Sequence, residues 1–339
     1  MADIAIDLGT QNIRIYTENK GVIINEPCIV AVDNYNGNIL AIGNEAYSML
    51  GRTSDRISVI YPLINGVISN FELVEQVISY FLKKASSNKL VMPRVVACIP
   101  GEITEVEKRA IVDSISASGV RKICLIEESV AAAMGSGIDI FTPHGVFIAD
   151  IGAGTTEIAV ISLSGVSVMK SIKLAGNDFN SIIIKHIKRK HKMIIGEVTA
   201  EALKKEIGCV YPQDEVCSTK IRGRNALTGL PQTIEINSKE ILPIISGVAV
   251  KISNAIKETL EDVPPELLSD IFEDGMILTG GAANMKGFDE LISEKTKLKV
   301  KVADEPELCT IKGVGESLKF IDIQVNHLQG KLNPLIIDY

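Results

Sequence analysis

Two copies of one short pattern set the terms for this chain. Ile4-Ala5-Ile6 leads into Asp7-Leu8-Gly9-Thr10-Gln11-Asn12 and a second short strand, Ile13-Arg14-Ile15-Tyr16. Val146-Phe147-Ile148-Ala149 leads into Asp150-Ile151-Gly152-Ala153-Gly154-Thr155-Thr156 and another apolar run at 158–163. Each copy reads as a strand, a Gly-bearing turn opened by Asp, and a strand. The two aspartates stand 143 residues apart in a chain of 339. That spacing points to an internal duplication, each half an α/β sheet covered by helices.

The residue types of the repeat also point to a chemistry. A turn rich in Gly brings backbone N–H groups close to an anion with no Cβ in the way, and a Thr hydroxyl adds a donor. A carboxylate at the strand end repels phosphate but suits a divalent cation, held directly or through water. Two such turns facing each other would clamp a polyphosphate and its Mg2+ from both sides. A third Gly-rich stretch, Thr279-Gly280-Gly281-Ala282-Ala283, follows a strand expected at 275–278 and leads to a helix expected from near Asn284. Its glycines either lay the backbone flat against a base or ribose, or simply make a tight strand-to-helix turn.

The segments between these turns alternate strands and helices. Phe71, Val74, Val77, Ile78, Phe81 and Leu82 form one apolar stripe at helical spacing over 71–85. Residues 95–99 are an unbroken apolar run of the kind buried on both faces of a sheet. Thr104 with Glu107 reads as a capping box, 123–126 as a strand, and 130–134 as a short Ala-rich helix. Pro143-His144-Gly145 breaks the chain before the second copy. Hydrophobic residues make up 46% of the chain while aromatics make up 4% with no Trp, so the core must be aliphatic.

Several function classes lose ground on composition. No window nears 18 uninterrupted apolar residues, which argues against a membrane-spanning helix, and Met1-Ala2-Asp3 runs into the first strand without the features of a signal peptide. The six cysteines lack C-x-x-C spacing and read as reduced thiols, mostly core residues. The four histidines show no metal-ligand spacing, which argues against a zinc enzyme. The net charge of −7 discourages nucleic-acid binding. The one basic cluster, residues 185–192, reads as a solvated helix face or a weak attraction for nucleic acid or acidic lipid.

The order and spacing of D-L-G-T-x-N, D-I-G-A-G-T-T and T-G-G-A-A resemble the two phosphate motifs and the adenosine motif of the actin/Hsp70/sugar-kinase superfamily. Within it the chain most resembles the MreB family of bacterial actin homologues. Asn25-Glu26-Pro27, Gly66-Val67-Ile68, Pro93-Arg94-Val95, the run from Thr104 to Ala110, Ile195-Gly196-Glu197, Thr228-Gly229-Leu230-Pro231 and Pro264-Pro265-Glu266-Leu267 also follow its pattern. The likeness covers roughly residues 3 to 320.

That resemblance implies an actin-like, duplicated two-lobe α/β fold with ribonuclease H-like sheets and a nucleotide cleft between the lobes. The lobes would span 1–145 and 146–320, with small inserts near 33–65 and 179–245 and a tail at 321–339. Asp7 and Asp150 would organise Mg2+. Gly9, Thr10, Gln11 and Asn12 would take the phosphates of ATP from one lobe, and Gly152, Ala153, Gly154 and Thr155 from the other. Glu201, Ala202, Leu203 and Lys204, on a helix opened by Thr199 and closed by Gly208, would meet ribose and adenine, backed by Gly280, Gly281, Ala282 and Ala283. Glu201 and Lys204 alone would read as an exposed helical salt bridge.

Glu128 would orient the water that cleaves ATP, with Thr155 assisting; the plainer reading is an acid placed to suit a helix dipole. Two departures bear on turnover: Ala153 stands where the family usually has Gly, and Ser129 where it has Pro. The implied function is a weakly ATP-hydrolysing cytoskeletal protein that self-associates into paired filaments at the cytoplasmic face of the cell membrane. It would direct rod shape with cell-wall synthesis and shape proteins, and would not bind nucleic acid. The family's amphipathic N-terminal helix is not expected here, so membrane contact would fall to Leu90-Val91-Met92 with its flanking cations, or those residues simply lead into the next strand. The alternatives are a non-hydrolysing structural paralogue and a small-molecule kinase of the same superfamily.

Overall fold

Strand order in the two largest sheets repeats. The structure is a computed structural model that describes residues 3–85, 93–321 and the backbone of 335–338. In the first sheet Asp3–Leu8 pairs antiparallel with Asn12–Thr17, which pairs with Gly21–Pro27. On its other side Asp3–Leu8 runs parallel to Arg94–Ile99, and that strand parallel to Lys122–Glu127. In the second sheet Val146–Ile151 pairs antiparallel with Thr156–Ser162, which pairs with Gly165–Ile172. Its other neighbours, Met276–Thr279 and Val300–Val302, are again parallel. Each lobe thus has the same plan, a central strand with Asp as its penultimate residue between a meander and a parallel pair. The register matches too: Asp7 lies opposite Arg14, and Asp150 opposite Glu157.

Residue patterning explains the elements. Val95, Val96, Ala97, Cys98 and Ile99 are all buried, because helices cover both faces of a parallel strand. Phe71–Ala85 is a helix that buries Val74, Val77, Ile78, Phe81 and Leu82. Phe71, expected in that stripe, is 51% exposed at the first residue of the helix. Thr104 Oγ1 accepts from Glu107 N at 3.2 Å and Glu107 Oε2 accepts from Thr104 N at 3.0 Å, the expected reciprocal cap.

The lobes meet through a shared apolar layer. Ala5, Val96 and Cys124 from the first sheet and Ile148, Ala159 and Ile161 from the second close on two helices, Glu128–Gly135 and Cys309–Ser317. The Ala-rich sequence of the first lets the two helices come close, and Glu128 sits at its start. Smaller sheets flank these: Val30–Asp33 lies between Ile39–Ile42 and Ile57–Ile60, Ser218–Asn225 between Met193–Ile194 and Pro231–Asn237, and Leu63–Ile64 pairs with Val67–Ile68. At the C-terminal end, Leu335–Asp338 pairs antiparallel with Lys122–Glu127 as an edge strand of the first sheet. Leu90, Val91 and Met92 lie outside the described residues. No described helix is long and apolar enough to cross a membrane.

Candidate functional site

The two Asp-bearing turns line one cavity of about 550 Å³ between the lobes. Gly9, Thr10, Gln11 and Asn12 line it from one side, and Gly152, Ala153 and Thr155 from the other. Asp7, Glu128 and Asp150 also line it, as do Glu201, Lys204, Gly280, Gly281 and Ala282. Gly154 is buried where the turns touch; a Cβ there would come within 2.8 Å of Thr10 Oγ1 and of Asn65 Cα.

Three expected contacts fall elsewhere. Ala202 is exposed, Leu203 is a core residue and Ala283 is buried away from the cavity. The helical period is the reason: it turns Glu201, Lys204 and Gly208 to the cleft, Leu203 to the core and Ala202 to solvent.

Local hydrogen bonds hold the turns open toward the cavity. Thr10 Oγ1 accepts from Gly66 N at 3.0 Å, which leaves the hydroxyl proton free to donate. Asn12 Nδ2 donates to Asn25 Oδ1 at 2.8 Å. Gly176 N and Asn177 N, opening the helix Gly176–His191, donate to the carbonyls of Gly152 and Ala153 at 3.1 and 2.8 Å. The carbonyls thus face the helix, and Ala153, Gly154 and Thr155 donate no backbone hydrogen bond among the described residues. Thr156 Oγ1 donates to Leu174 O at 2.8 Å; only Thr155 of the Thr pair faces the cavity.

The strand ends gather charge. Arg14 Nη1 donates to Asp7 Oδ2 at 2.7 Å, and the Cys98 thiol to Asp7 Oδ1 at 3.4 Å. Thr279 Oγ1 donates to Asp150 Oδ1 at 2.7 Å, but burial still pushes the Asp150 carboxyl up to about 6. Glu128 is raised well above the carboxylate range, by burial first and then by the charges of Glu157, Asp7 and Asp150. Glu157 is 1% exposed and pushed up to about 8, again chiefly by burial. Its Oε1 accepts from Gly101 N at 3.0 Å across the lobe boundary, and its Oε2 has no partner.

Arg14 and Glu157 escape a motif search because neither lies in a turn. Both stand seven residues after the turn aspartate, at the same position of the two copies, so superposing the repeats on one another brings them out. Asn25, whose Asn25-Glu26-Pro27 segment follows the family pattern, also lines the cavity, as do Cys98 and Lys205, which carry no sequence signal of a site.

The helix carrying Glu201 spans Glu197–Ile207 and is capped by Gly196, whose carbonyl accepts from Ala200 N at 3.1 Å. Thr199 therefore lies inside the first turn rather than at the N-cap, because the extended Gly196 already starts the helix. Lys204 Nζ donates to Glu201 Oε2 at 2.6 Å, and Asn180 Nδ2 to the same oxygen at 2.7 Å. The pair is buried, at 9% and 6% exposure, not an exposed salt bridge. Burial opposes its charge, but the Lys204 ammonium and these hydrogen bonds hold the Glu201 carboxyl below its usual range.

Beyond Met276–Thr279 the chain turns at Gly280, whose φ is +84° and whose Cβ would strike Ile151 O at 2.3 Å. Only Gly fits there. Gly281 starts a short 3-10 turn, Gly281–Asn284, and the α-helix begins later, at Phe288, after a left-handed Gly287. Gly280 therefore makes the tight turn and Gly281 opens flat onto the cavity.

The donor set fits a water-held Mg2+. Asp7, Glu128 and Asp150 do not bring one oxygen each within 4.8 Å of one another, so they do not form a closed cage. Mg2+ keeps several waters and takes one or two carboxylates plus phosphate oxygens, which these spaced, partly hydrogen-bonded carboxylates provide.

Paired sheets of one plan, with a turn from each on a shared cleft, define the actin-like class of fold. The MreB/Mbl protein family model matches residues 1–326, and the chain belongs to that family. It is 42% identical over 327 residues to the cell shape-determining protein MreB of Escherichia coli (strain K12), covering 95% of this chain and 94% of that one. It is 43% identical over 321 residues to Mbl of Bacillus subtilis (strain 168), covering 94% and 96%. The crystal structure of MreB5 of Spiroplasma citri bound to ADP, 34% identical, superposes with a TM-score of 0.90 over 94% of this chain and 97% of that one. The MamK double helical filament, 19% identical, shares the fold at a TM-score of 0.80 over 94% and 98%.

Proposed function

We propose that this chain binds ATP with Mg2+ in the cleft, hydrolyses it slowly, and polymerises with itself into filaments. The observation that carries this is the pair of turns facing one cavity with Glu128 beside them. A relative 34% identical has been solved with ADP and with AMPPNP, which supports a nucleotide as ligand. Gly9 and Thr10 from one lobe, and Ala153, Gly154 and Thr155 from the other, would donate to the phosphates. Glu201, Lys204 and Gly281 would face the nucleoside. Mg2+, held through water by Asp7 and Asp150, would neutralise charge on the β- and γ-phosphates.

Hydrolysis then falls to groups already in place. The Glu128 carboxylate makes no hydrogen bond among the described residues, so it is open to a water, and its raised proton affinity suits a base that takes the water's proton. Ser129, where the family usually has Pro, is fully buried at the start of the helix, and its Oγ has no partner. Arg14 supplies a cation to a cluster otherwise made of carboxylates. The named role of the relatives in cell shape supports a cytoplasmic filament at the inner membrane face that works with cell-wall synthesis and shape proteins, and Leu90, Val91 and Met92 are the candidate membrane contact. The lobe boundaries at 145 and 320 belong to the same proposal.

Sedimentation with ATP, ADP and no nucleotide, with and without anionic vesicles, tests it. Pelleting that depends on ATP supports the reading; no pelleting in any condition refutes it. Phosphate release that persists unchanged in Glu128→Ala would clear that residue of its role.

A further inference from the structure

The basic run that closes the helix Gly176–His191 hides two histidines that face one carboxylate. His186 Nε2 lies 2.8 Å and His191 Nε2 2.7 Å from the same oxygen, Glu240 Oε1. Four residues separate the two histidines in sequence, a spacing zinc ligands use and one that overturns the expectation of no ligand spacing; the fold adds Glu240 from about fifty residues away. None of them lines the nucleotide cleft. Glu240 sits in the first turn of the helix Ser238–Glu261, with its N–H donated to the N-cap Asn237 Oδ1 at 3.0 Å. A helix start favours that negative charge, and the end of the other helix favours a cation beside His191. The three side chains are 10%, 22% and 14% exposed, so the site is formed but reachable from solvent.

We propose that His186, His191 and Glu240 bind a divalent transition metal of the zinc and nickel class, clamping the two helices together. Two imidazole nitrogens and one carboxylate oxygen are a known donor set for a three-ligand site with a fourth position left to water. Among the described residues they are the only three His, Cys, Asp or Glu whose ligand atoms all lie within 4.8 Å of one another. A tetrahedral ion with bonds of about 2.1 Å sets its ligands roughly 3.4 Å apart. Each His–Glu contact would therefore open by only about 0.7 Å.

The chemistry of the surroundings selects the ion. Nδ1 of His186 is buried without a partner, so Nε2 is the nitrogen of that ring open to a ligand. Burial disfavours the Glu240 charge, but hydrogen bonds from His191, His186 and Lys190 hold its carboxyl down at about 2, so it is an ionised ligand at neutral pH. Lys190 Nζ is 3.0 Å from Glu240 Oε2 and 53% exposed, free to swing into water when a cation enters. Lys185, Lys188, Arg189 and Lys192 lie on the same run. Their charge disfavours ions such as Mg2+ or Ca2+ that bind by charge and oxygen ligands. An ion that gains strong bonds to imidazole overcomes it. A metal takes the Nε2 lone pair of each ring, which requires the neutral tautomer with its proton on Nδ1.

Calorimetric titration of the untagged full chain with Zn2+ and with Ni2+ tests the site, with Co2+ absorption as a second readout. The expected result is one equivalent bound, a Co2+ spectrum without thiolate charge-transfer bands, and a raised thermal midpoint. Changes outside the ligand set alone cost metal sites roughly tenfold or more, so His186→Gln and His191→Gln should each lower affinity by at least that and abolish the thermal shift. Both variants should bind ATP as the parent does, which also reports that they fold. No bound equivalent, thiolate bands in the Co2+ spectrum, or affinity unchanged in both histidine variants would overturn the proposal.

Discussion

Glu157 offers a sharp test of how the two lobes treat charge. Where Asp7 faces Arg14 across its hairpin, Asp150 faces Glu157, and like charges directly opposite are unfavourable. Burial raises the Glu157 carboxyl from 4.5 to about 8. Below pH 4.5 it is protonated in both the folded and unfolded chain, and folding bears no penalty. Between pH 4.5 and 8 the unfolded chain has lost the proton while the folded chain keeps it, so stability falls as pH rises. Above pH 8 both are ionised and the penalty is complete. At about 1.4 kcal/mol per pH unit, that is on the order of 5 kcal/mol.

Glu157→Gln keeps an oxygen for Gly101 N and cannot ionise. Denaturant unfolding of the dilute, nucleotide-free chain should show parent and variant nearly equal at pH 5. At pH 9 the variant should be the more stable by several kcal/mol. Loss of that charge should also lower the proton affinity of Glu128 and move the acid limb of hydrolysis to lower pH. Parallel stability profiles from pH 5 to 9 would refute the reasoning.

Three other substitutions probe separate parts of the account. Lys204→Met leaves Glu201 buried with its main cation gone, and should cost about 3 kcal/mol of stability, read by thermal unfolding, together with ATP affinity, read by fluorescent-nucleotide titration. Gly313→Ala places a Cβ 1.8 Å from Ala131 O, forcing apart the two helices between the sheets. It should cost roughly 2–4 kcal/mol and slow phosphate release, because one of those helices begins at Glu128. Thr104→Ala removes a complete capping box and should cost about 1 kcal/mol, without altering nucleotide affinity.

The parts of the fold legible in sequence were those whose signal is local. The paired Asp turns, the stripe in Phe71–Ala85, the Thr104 cap and the Ala-rich helix each carry their pattern within a few residues. What escaped depends on how strands pair and helices cross. Arg14 and Glu157 act through strand register, and His186 and His191 become neighbours of Glu240 only when two helices cross. Ala202 and Leu203 were carried along with Glu201 and Lys204 by adjacency in sequence, where a helix needs spacings of three and four. Thr199 looked like a cap by residue type, but Gly196 in extended conformation had already begun the helix.

A crystal structure with Mg2+ and AMPPNP bears most directly on the central claim that the cleft holds a nucleoside triphosphate between the two turns. The expected result is phosphates between Gly9–Thr10 and Ala153–Thr155, the nucleoside against Glu201, Lys204 and Gly281, and a metal reached from Asp7 and Asp150 through water. A nucleotide bound outside the cleft, or phosphates touching only one of the two turns, would contradict it.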